Sequence, residues 1–423
     1  FAASRPNMRD QNSIQKDRAL RIAFIHPDLG IGGAEKFIVT FASTLVKDGH
    51  YVKIFTPHYD PNHAFEETKS LNVQKSCSWF PASICGKFVA LCTMIRCFLV
   101  AFAILFTDNT YDLIVCDMVP NAVPVIRLLL RTKVLFYCHF PDKLLCTNRR
   151  SILKKLYRFP IDALEEFCLL FANIIVFNSV FTYTTSCQAW KFLTCLKNVP
   201  ERVLYPPLGE DLLKQSDFTL VEPGHSEDPF ILSINRYEFK KNVKHALDVL
   251  EELYRNDKFS SLTEKKRLQL IIAGGYESRI KENVENLEFL KKHAEKLGIE
   301  SKVTFLTSIS NEQKLTLLND CLAVLYTPEN EHFGIVPIEA MYHKTPILAC
   351  NSGGPRESIK SEVTGYLLEP EVEPWANAIH NLLSDEKIRE KMGSAGHQRV
   401  LEKFSSDAFM ATTHQFLSVL FKQ

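Results

Sequence analysis

Two carboxylates eight residues apart, Glu331 and Glu339, stand in the stretch Asn330–Met341, NEHFGIVPIEAM. On one continuous helix they would be separated by about 12 Å along the axis. Gly334 and Pro337 lie between them, and proline, which lacks an N–H, is tolerated best in a first helical turn. The expectation is therefore a break, with Gly334, Ile335 and Val336 in the turn entering a helix that Pro337 opens. Glu339 then falls in the first turn of that helix. Free amides at such an N-terminus can hold an anion, phosphate above all. An acid in a first turn also complements the helix dipole with no ligand involved, so the pair alone leaves both readings open.

Further groups point the same way. Arg236 and Lys241, in NRYEFKKN (235–242), offer cations able to neutralise a diphosphate leaving group. Lys240 competes with Lys241 for the inner place, and an isolated pair of this kind is more often a solvated basic loop. Gly30, Gly32 and Gly33, in DLGIGGAE, follow an apolar run and precede a helical pattern. Glycines there let backbone approach a pyrophosphate, but the spacing is not G-x-G-x-x-G, and an ordinary tight turn is the alternative. His139 ends the run FYCH, and Gly353, Gly354 and Glu357 repeat the strand–glycine–helix theme in NSGGPRES. No Asp-x-Asp pair occurs. Charge neutralisation is therefore expected from Arg, Lys and helix amides, without a bound metal.

The elements that must position these groups alternate. Apolar runs at RIAFIH (21–26), YVKIFT (51–56), DLIVCD (112–117), VLFYCH (134–139) and NIIVFN (173–178) read as strands with helix-like segments between several of them. The alternation restarts with FILSIN (230–235), RLQLIIAGG (267–275), KVTFL (302–306), LAVLYT (322–327) and PILAC (346–350). Two doubly wound α/β domains with parallel, Rossmann-like sheets are expected, with ligands beyond the carboxyl ends of the strands and so in the cleft between domains. Residues 1–19 are polar with no signal-type apolar core and read as a mobile tail. Residues 20–205 form the first domain, 206–229 a linker, 230–402 the second domain and 403–423 a helical segment.

Composition agrees with two cores. The chain has 423 residues, 46% of them hydrophobic, and a formal net charge of +1, which gives no support for nucleic-acid binding by charge. Twelve cysteines with no zinc-like spacing read as free thiols in a reducing compartment. One segment stands apart: residues 88–106, FVALCTMIRCFLVAFAILF, whose clearly polar members are Thr93 and Arg96. As a helix it would reach about 28 Å, close to a bilayer core. A crossing would separate strands that share one sheet, and a central arginine would add ~2.5–3.5 kcal/mol to insertion. A shallow membrane-facing helix or hairpin is the expectation, and a buried core helix the alternative.

Taken together, Glu331…Glu339, the Arg236…Lys241 pair and GIGGAE resemble the retaining glycosyltransferases of family 4, which have the two-domain GT-B fold. With HPDLGIGGAEKFIV, TPHYDPNHAFEET, FYCHFPD and NSGGPRESI, the resemblance extends over residues 21 to about 405 and is to the dolichol-pathway mannosyltransferases among them. It implies GDP-mannose as donor and dolichyl-diphosphate-linked Man-GlcNAc2 as acceptor, with α-1,3 and then α-1,6 linkages. It also implies the cytosolic face of the endoplasmic reticulum membrane, and other mannosyltransferases of the pathway as protein partners. Under this resemblance Glu339 accepts from the ribose hydroxyls, and Gly334, Ile335 and Val336 offer amides to the diphosphate. Arg236 and Lys241 stabilise the departing phosphate, Glu331 faces the mannose and His139 contacts the donor sugar. Gly32 and Gly33 approach the sugar–phosphate junction, and Gly274 and Phe333 complete the donor site. Retention by same-face attack, with the leaving phosphate helping to deprotonate the acceptor, needs no strong side-chain nucleophile. A sibling transferase with another nucleotide sugar, a nucleotide-sugar epimerase and a non-catalytic scaffold are the alternatives.

Overall fold

The computed structural model describes residues 19–84, 86–107, 110–146, 149, 151–209 and 228–421. Most of the expected linker and the expected N-terminal tail lie outside these residues. The chain divides into two compact units, one of residues up to Phe136 with Lys155–Ile174, the other of Tyr137–Lys154 with everything from Ile175 onward.

The first sheet contains β1 (Arg21–Ile25), β2 (Tyr51–Thr56), β3 (Asn72–Lys75), β4 (Leu113–Asp117), β5 (Lys133–Cys138) and β6 (Ile174–Phe177), in the order β3-β2-β1-β4-β5-β6. The second contains β7 (Phe230–Ile234), β8 (Gln269–Gly274), β9 (Val303–Thr307), β10 (Ala323–Tyr326), β11 (Ile347–Cys350) and β12 (Tyr366–Leu368), in the order β12-β11-β10-β7-β8-β9. Renumbered from its first strand, the second order is the first one again. The traced pairings are parallel, Ile25 beside Cys116 on β1 and β4, and Val324 beside Leu232 on β10 and β7. In each sheet the chain order reverses beside the first strand, between β1 and β4 and between β7 and β10. Ligands of such folds bind at the carboxyl ends of the strands flanking that reversal.

Alternate strand residues point to opposite faces, and here both faces are covered. Ile231, Leu270, Ile272, Leu325 and Leu348 belong to one buried cluster, and their neighbours Leu232, Ile271, Ala273, Val324 and Ile347 to another. Burial on both sides is why these strands read as continuous apolar runs rather than alternating ones. The edge strands β3 and β12 escaped that reading because they are three or four residues long and only half-buried.

Six helices carry the rest of the argument: α1 (Gly33–Lys47), α2 (Val89–Ile104), α3 (Ile152–Leu169), α4 (Val180–Ala189), α5 (Asn311–Asp320) and α6 (Ile335–Tyr342). Helix α2, in the ambiguous apolar segment, is buried on one face and exposed on the other. Cys92, Met94, Cys97, Val100, Ala101 and Ile104 are buried against the first unit, while Val89, Phe98 and Phe102 remain exposed and Phe106 beyond them is 79% exposed. Arg96 belongs to the inner face, where its guanidinium donates to the Pro57 carbonyl at 3.1 Å. Helices α2 and α3 border an apolar groove of about 490 Å³, lined by Met94, Ile95, Phe98, Ile161, Leu164 and Phe167 among others. Among the described residues, no helix is long and apolar enough to cross a membrane.

Candidate active site

The two glutamates do flank a break. Glu331 lies in the loop after β10, and α6 begins at Ile335 with Gly334 as its N-cap at φ +82°. The start differs from the expectation by two residues. Ile335 and Val336 are already helical, Pro337 is the third residue of the first turn, and Glu339 falls in the second turn. The physical reason is that any of the first three helical positions lacks an intrahelical partner for its N–H, so proline does not have to come first. Glu339 therefore does not act as a first-turn acid. No side chain caps α6, which leaves the early amides to another acceptor.

Each glutamate has its own lysine. The Lys241 ammonium bonds to Glu331, with the Lys241 side chain 12% and that of Glu331 23% exposed. Burial works against the Glu331 charge, but Lys241 outweighs it and holds the carboxyl below its ordinary pKa. Lys314 of α5 stands 2.6 Å from Glu339 Oε2. That oxygen is buried, so the ion pair is shielded from water. Of the neighbouring cations, Lys241 takes the inner position, while Lys240 turns outward onto Glu238 at 3.0 Å. Arg236 also reaches Glu238, at 3.2 Å, and stays 66% exposed; the structure thus brings Lys241 but not Arg236 onto Glu331. Tyr326, at the end of β10, is kept a neutral phenol by burial together with the charges of Glu331 and Glu339.

The loop carrying Glu331 is fixed by its neighbours. Gly354 N–H donates to the Glu331 carbonyl at 2.8 Å, and Asn330 N–H to Ser352 Oγ at 2.9 Å. A Cβ on Gly353, which has φ +64°, would stand 2.8 Å from Glu331 N, and one on Gly354 would stand 2.7 Å from the Phe333 carbonyl carbon. The second glycine pair is thus a close-packing support for the first loop. The Ser179 hydroxyl donates to the His332 carbonyl at 2.6 Å, and the Phe140 ring stacks on the His332 ring at 3.6 Å. Burial, with Lys241, Lys240 and His139 nearby, lowers the His332 pKa to about 4 against the opposing pull of Glu331. A neutral imidazole is therefore what stacks on Phe140. Glu357 accepts from the Val180 and Phe181 N–H groups at 2.8 and 2.7 Å and from the Tyr205 hydroxyl at 3.1 Å. Its carboxylate serves the start of α4, a role sequence spacing could not show.

The remaining candidates are distributed as follows. His139 follows β5, its ring 4.8 Å from that of Tyr137, and its carbonyl accepts from Asn178 at 2.9 Å. Phe333 is buried against Tyr205 and Phe404, with Gly354 packed on its backbone. Gly274 has φ +152°, and a Cβ there would meet the Asn235 carbonyl carbon at 2.6 Å; it fixes the base of the Arg236 loop. At Gly32 the Glu35 carboxylate occupies the space of a side chain, whereas Gly33 faces open ground. Sequence reasoning missed Lys314, Tyr326, Phe140 and His332. It also missed His26, fully buried beyond β1 with Nδ1 2.8 Å from Asp117 Oδ1. A histidine and an aspartate ending two strands were the available signal.

Comparison with known proteins agrees with this geometry. Residues 31–192 match the Glycosyltransferase Family 4 model and residues 218–399 the Glycosyl transferases group 1 model. The chain is 43% identical over 422 residues to the Homo sapiens protein named alpha-1,3/1,6-mannosyltransferase ALG2, covering 97% of this chain and 98% of that one. It is 45% identical over 410 residues to the Mus musculus protein of the same name, covering 94% and 96%. Among solved structures, sucrose-phosphate synthase from Thermosynechococcus elongatus superposes with a TM-score of 0.72 at 20% identity, covering 95% of this chain and 99% of that chain, a likeness of fold. The chain therefore belongs to the alpha-1,3/1,6-mannosyltransferase ALG2 family, glycosyltransferases whose two Rossmann-like domains make the GT-B fold.

Proposed function

We propose that the donor is GDP-mannose and the acceptor a dolichyl-diphosphate-linked Man-GlcNAc2 of N-glycan precursor synthesis. The observation that carries this reading is the pair of lysine-held glutamates on either side of an uncapped helix N-terminus. Glu339, its Oε2 held by Lys314 at 2.6 Å, is suited to receive ribose hydroxyls through its other carboxylate oxygen. The early amides of α6, with Gly334, Ile335 and Val336 at their start, suit the diphosphate. Lys241 supplies fixed positive charge where the leaving group departs, and the exposed Arg236 can swing to join it. Glu331, which holds Lys241, faces the mannose, with His139 beside the sugar. Gly274 and Phe333 shape the site by their backbones. Charge neutralisation by these groups makes a divalent ion unnecessary at the diphosphate.

The exposed face of α2, continued by the apolar groove against α3, suits contact with the membrane that carries such an acceptor, at the cytosolic side of the endoplasmic reticulum. Other mannosyltransferases of the pathway are protein partners in this reading.

Incubation with GDP-mannose and lipid-linked Man-GlcNAc2, followed by linkage analysis, tests the proposal. Added α-1,3 and α-1,6 mannose, persisting under exhaustive chelation, is expected. Transfer from a different nucleotide sugar in preference to GDP-mannose overturns the donor assignment, and loss of turnover on chelation with rescue by stoichiometric manganese overturns the metal-free chemistry.

A further inference from the structure

A second built group of charges lies at the other strand-order reversal, in the first unit. Because Ile25 pairs with Cys116, the next residues, His26 and Asp117, stand side by side at the carboxyl ends of β1 and β4. His26 has no exposed surface, and its Nδ1 lies 2.8 and 2.9 Å from the two Asp117 oxygens. Its Nε2 is buried, makes no hydrogen bond and stands 3.9 Å from Glu35 Oε1. Glu35 lies in the first turn of α1 and folds back over Gly32, whose Cβ position is 3.0 Å from Glu35 Cδ. Any side chain at Gly32 would displace it. The Glu35 side chain is 20% exposed, beside the open ground at Gly33.

Stability is not a sufficient reason for this arrangement. Removing an imidazolium and two carboxylates from water costs more than an apolar filling of the same volume, and mutual attraction only partly offsets it. With one positive and two negative groups the cluster is net anionic. Its exposed edge repels a diphosphate and attracts hydrogen-bond donors, of which sugar hydroxyls are the kind this family handles.

We propose that Glu35 is an acceptor-binding residue that receives a hydrogen bond from a hydroxyl of the acceptor glycan, with His26 and Asp117 as its positioning residues. This rests on the functional reading above and places the second substrate. The imidazolium fixes the rotamer and the charge of Glu35, and Asp117 keeps the imidazole protonated. Two further titratable groups that feel Asp117, Cys116 of β4 and Cys97 of α2, are held as neutral thiols, since burial first and then the Asp117 charge raise their pKa values.

The test uses the full chain with GDP-mannose and lipid-linked Man-GlcNAc2. Glu35→Gln, isosteric and at a partly exposed position, should raise the acceptor KM by about tenfold to a hundredfold, the range for losing a charged hydrogen bond. The donor KM should stay unchanged. Asp117→Asn provides a readout that a structural role would not move. With its partner neutral, His26 should titrate nearer its ordinary value, so the acceptor KM should rise between pH 6 and 8 in the variant and stay flat in the wild type. A parallel titration of the soluble Man-GlcNAc2 glycan by saturation-transfer NMR reads binding without turnover. An active wild type with unchanged acceptor KM in Glu35→Gln overturns the inference alone, as does a rise confined to the donor KM. A wild type that neither turns over nor binds the glycan overturns the functional reading and the inference with it.

Discussion

Replacing Glu331 by glutamine removes one charge and almost no volume. The Lys241 ammonium, 12% exposed, then keeps a neutral partner in place of an ionic one. An exposed ion pair contributes about 0–1 kcal/mol and breaking a fully buried one costs about 3–5. With one side chain nearly buried and the other a quarter exposed, about 1–2 kcal/mol of stability is at stake. In a domain of this size that corresponds to a melting temperature lower by about 3–6 °C. Catalysis should suffer more. A fixed charge beside a developing oxocarbenium ion contributes on the order of 100- to 1,000-fold to kcat, so Glu331→Gln should lower kcat by that factor with a smaller rise in donor KM. Calorimetry and steady-state kinetics, donor varied at saturating acceptor, give both numbers. A kcat within about threefold of wild type, alongside the stability loss, would refute the assignment and leave Glu331 as the holder of Lys241 only. Combining it with Lys241→Met separates the roles, since two residues acting only through each other should cost together no more than the worse single change.

Glu339→Gln should raise donor KM about tenfold or more with kcat little changed, because a ribose contact is equally present in ground and transition states; steady-state kinetics check this. Gly354→Ala should lower stability by about 1–3 kcal/mol, measured by urea unfolding, and depress kcat, because its Cβ would be driven into the Phe333 backbone. His26 predicts a pH-dependent stability. Burial disfavours its charge, but Asp117 and Glu35 outweigh that and raise its pKa to about 10 from the ordinary 6.5. Its stabilisation is therefore complete below pH 6.5 and lost as pH rises through about 10. Thermal melts between pH 6 and 10 should fall steeply in the wild type and less so in His26→Gln.

Much of the fold was legible because buried parallel strands are continuous apolar runs, and ten such runs are found within a residue or two of their expected ends. The edge strands β3 and β12 were not, since short half-buried strands carry no such signal. Glu331 and Glu339 were legible because glycine and proline mark the break between them. Lys314 was not, because α5 carries it to Glu339 across a separation of 25 residues in which nothing is spaced to suggest contact. Arg236 and Lys241 looked equivalent in sequence. A left-handed turn at Asn242, φ +48°, follows Lys241, which lies inward on Glu331, while Arg236 stays outside on Glu238. Helix α2 was ambiguous for a different reason: composition counts apolar residues but does not say which face meets protein, and here both faces are apolar.

The packing around Glu331 bears on what a catalytic loop requires. Loops lose order readily unless their backbone groups are bonded, yet a charge meant to act on a transition state has to be held in place before the reaction begins. Here the backbone from Asn330 to Gly334 is held by Gly354, Ser352 and Ser179, and its side chains by Phe140, Tyr205 and Phe404. Asn330 adopts φ +52° and Gly334 φ +82°, conformations that asparagine and glycine tolerate best. Glu357 in turn fixes the start of α4, from which Ser179 reaches His332. Glu357→Gln, one step removed from the loop, keeps the side chain's shape but has one acceptor oxygen instead of two, so it gives up one of the two hydrogen bonds from Val180 and Phe181. It should thus lower kcat through misplacement of Glu331, by a factor smaller than that of Glu331→Gln itself and absent when Glu331 is already glutamine. The non-additivity is the point of the measurement: two losses that simply multiply would mean that α4 and the Glu331 loop act independently, and that the Ser179 contact is packing alone.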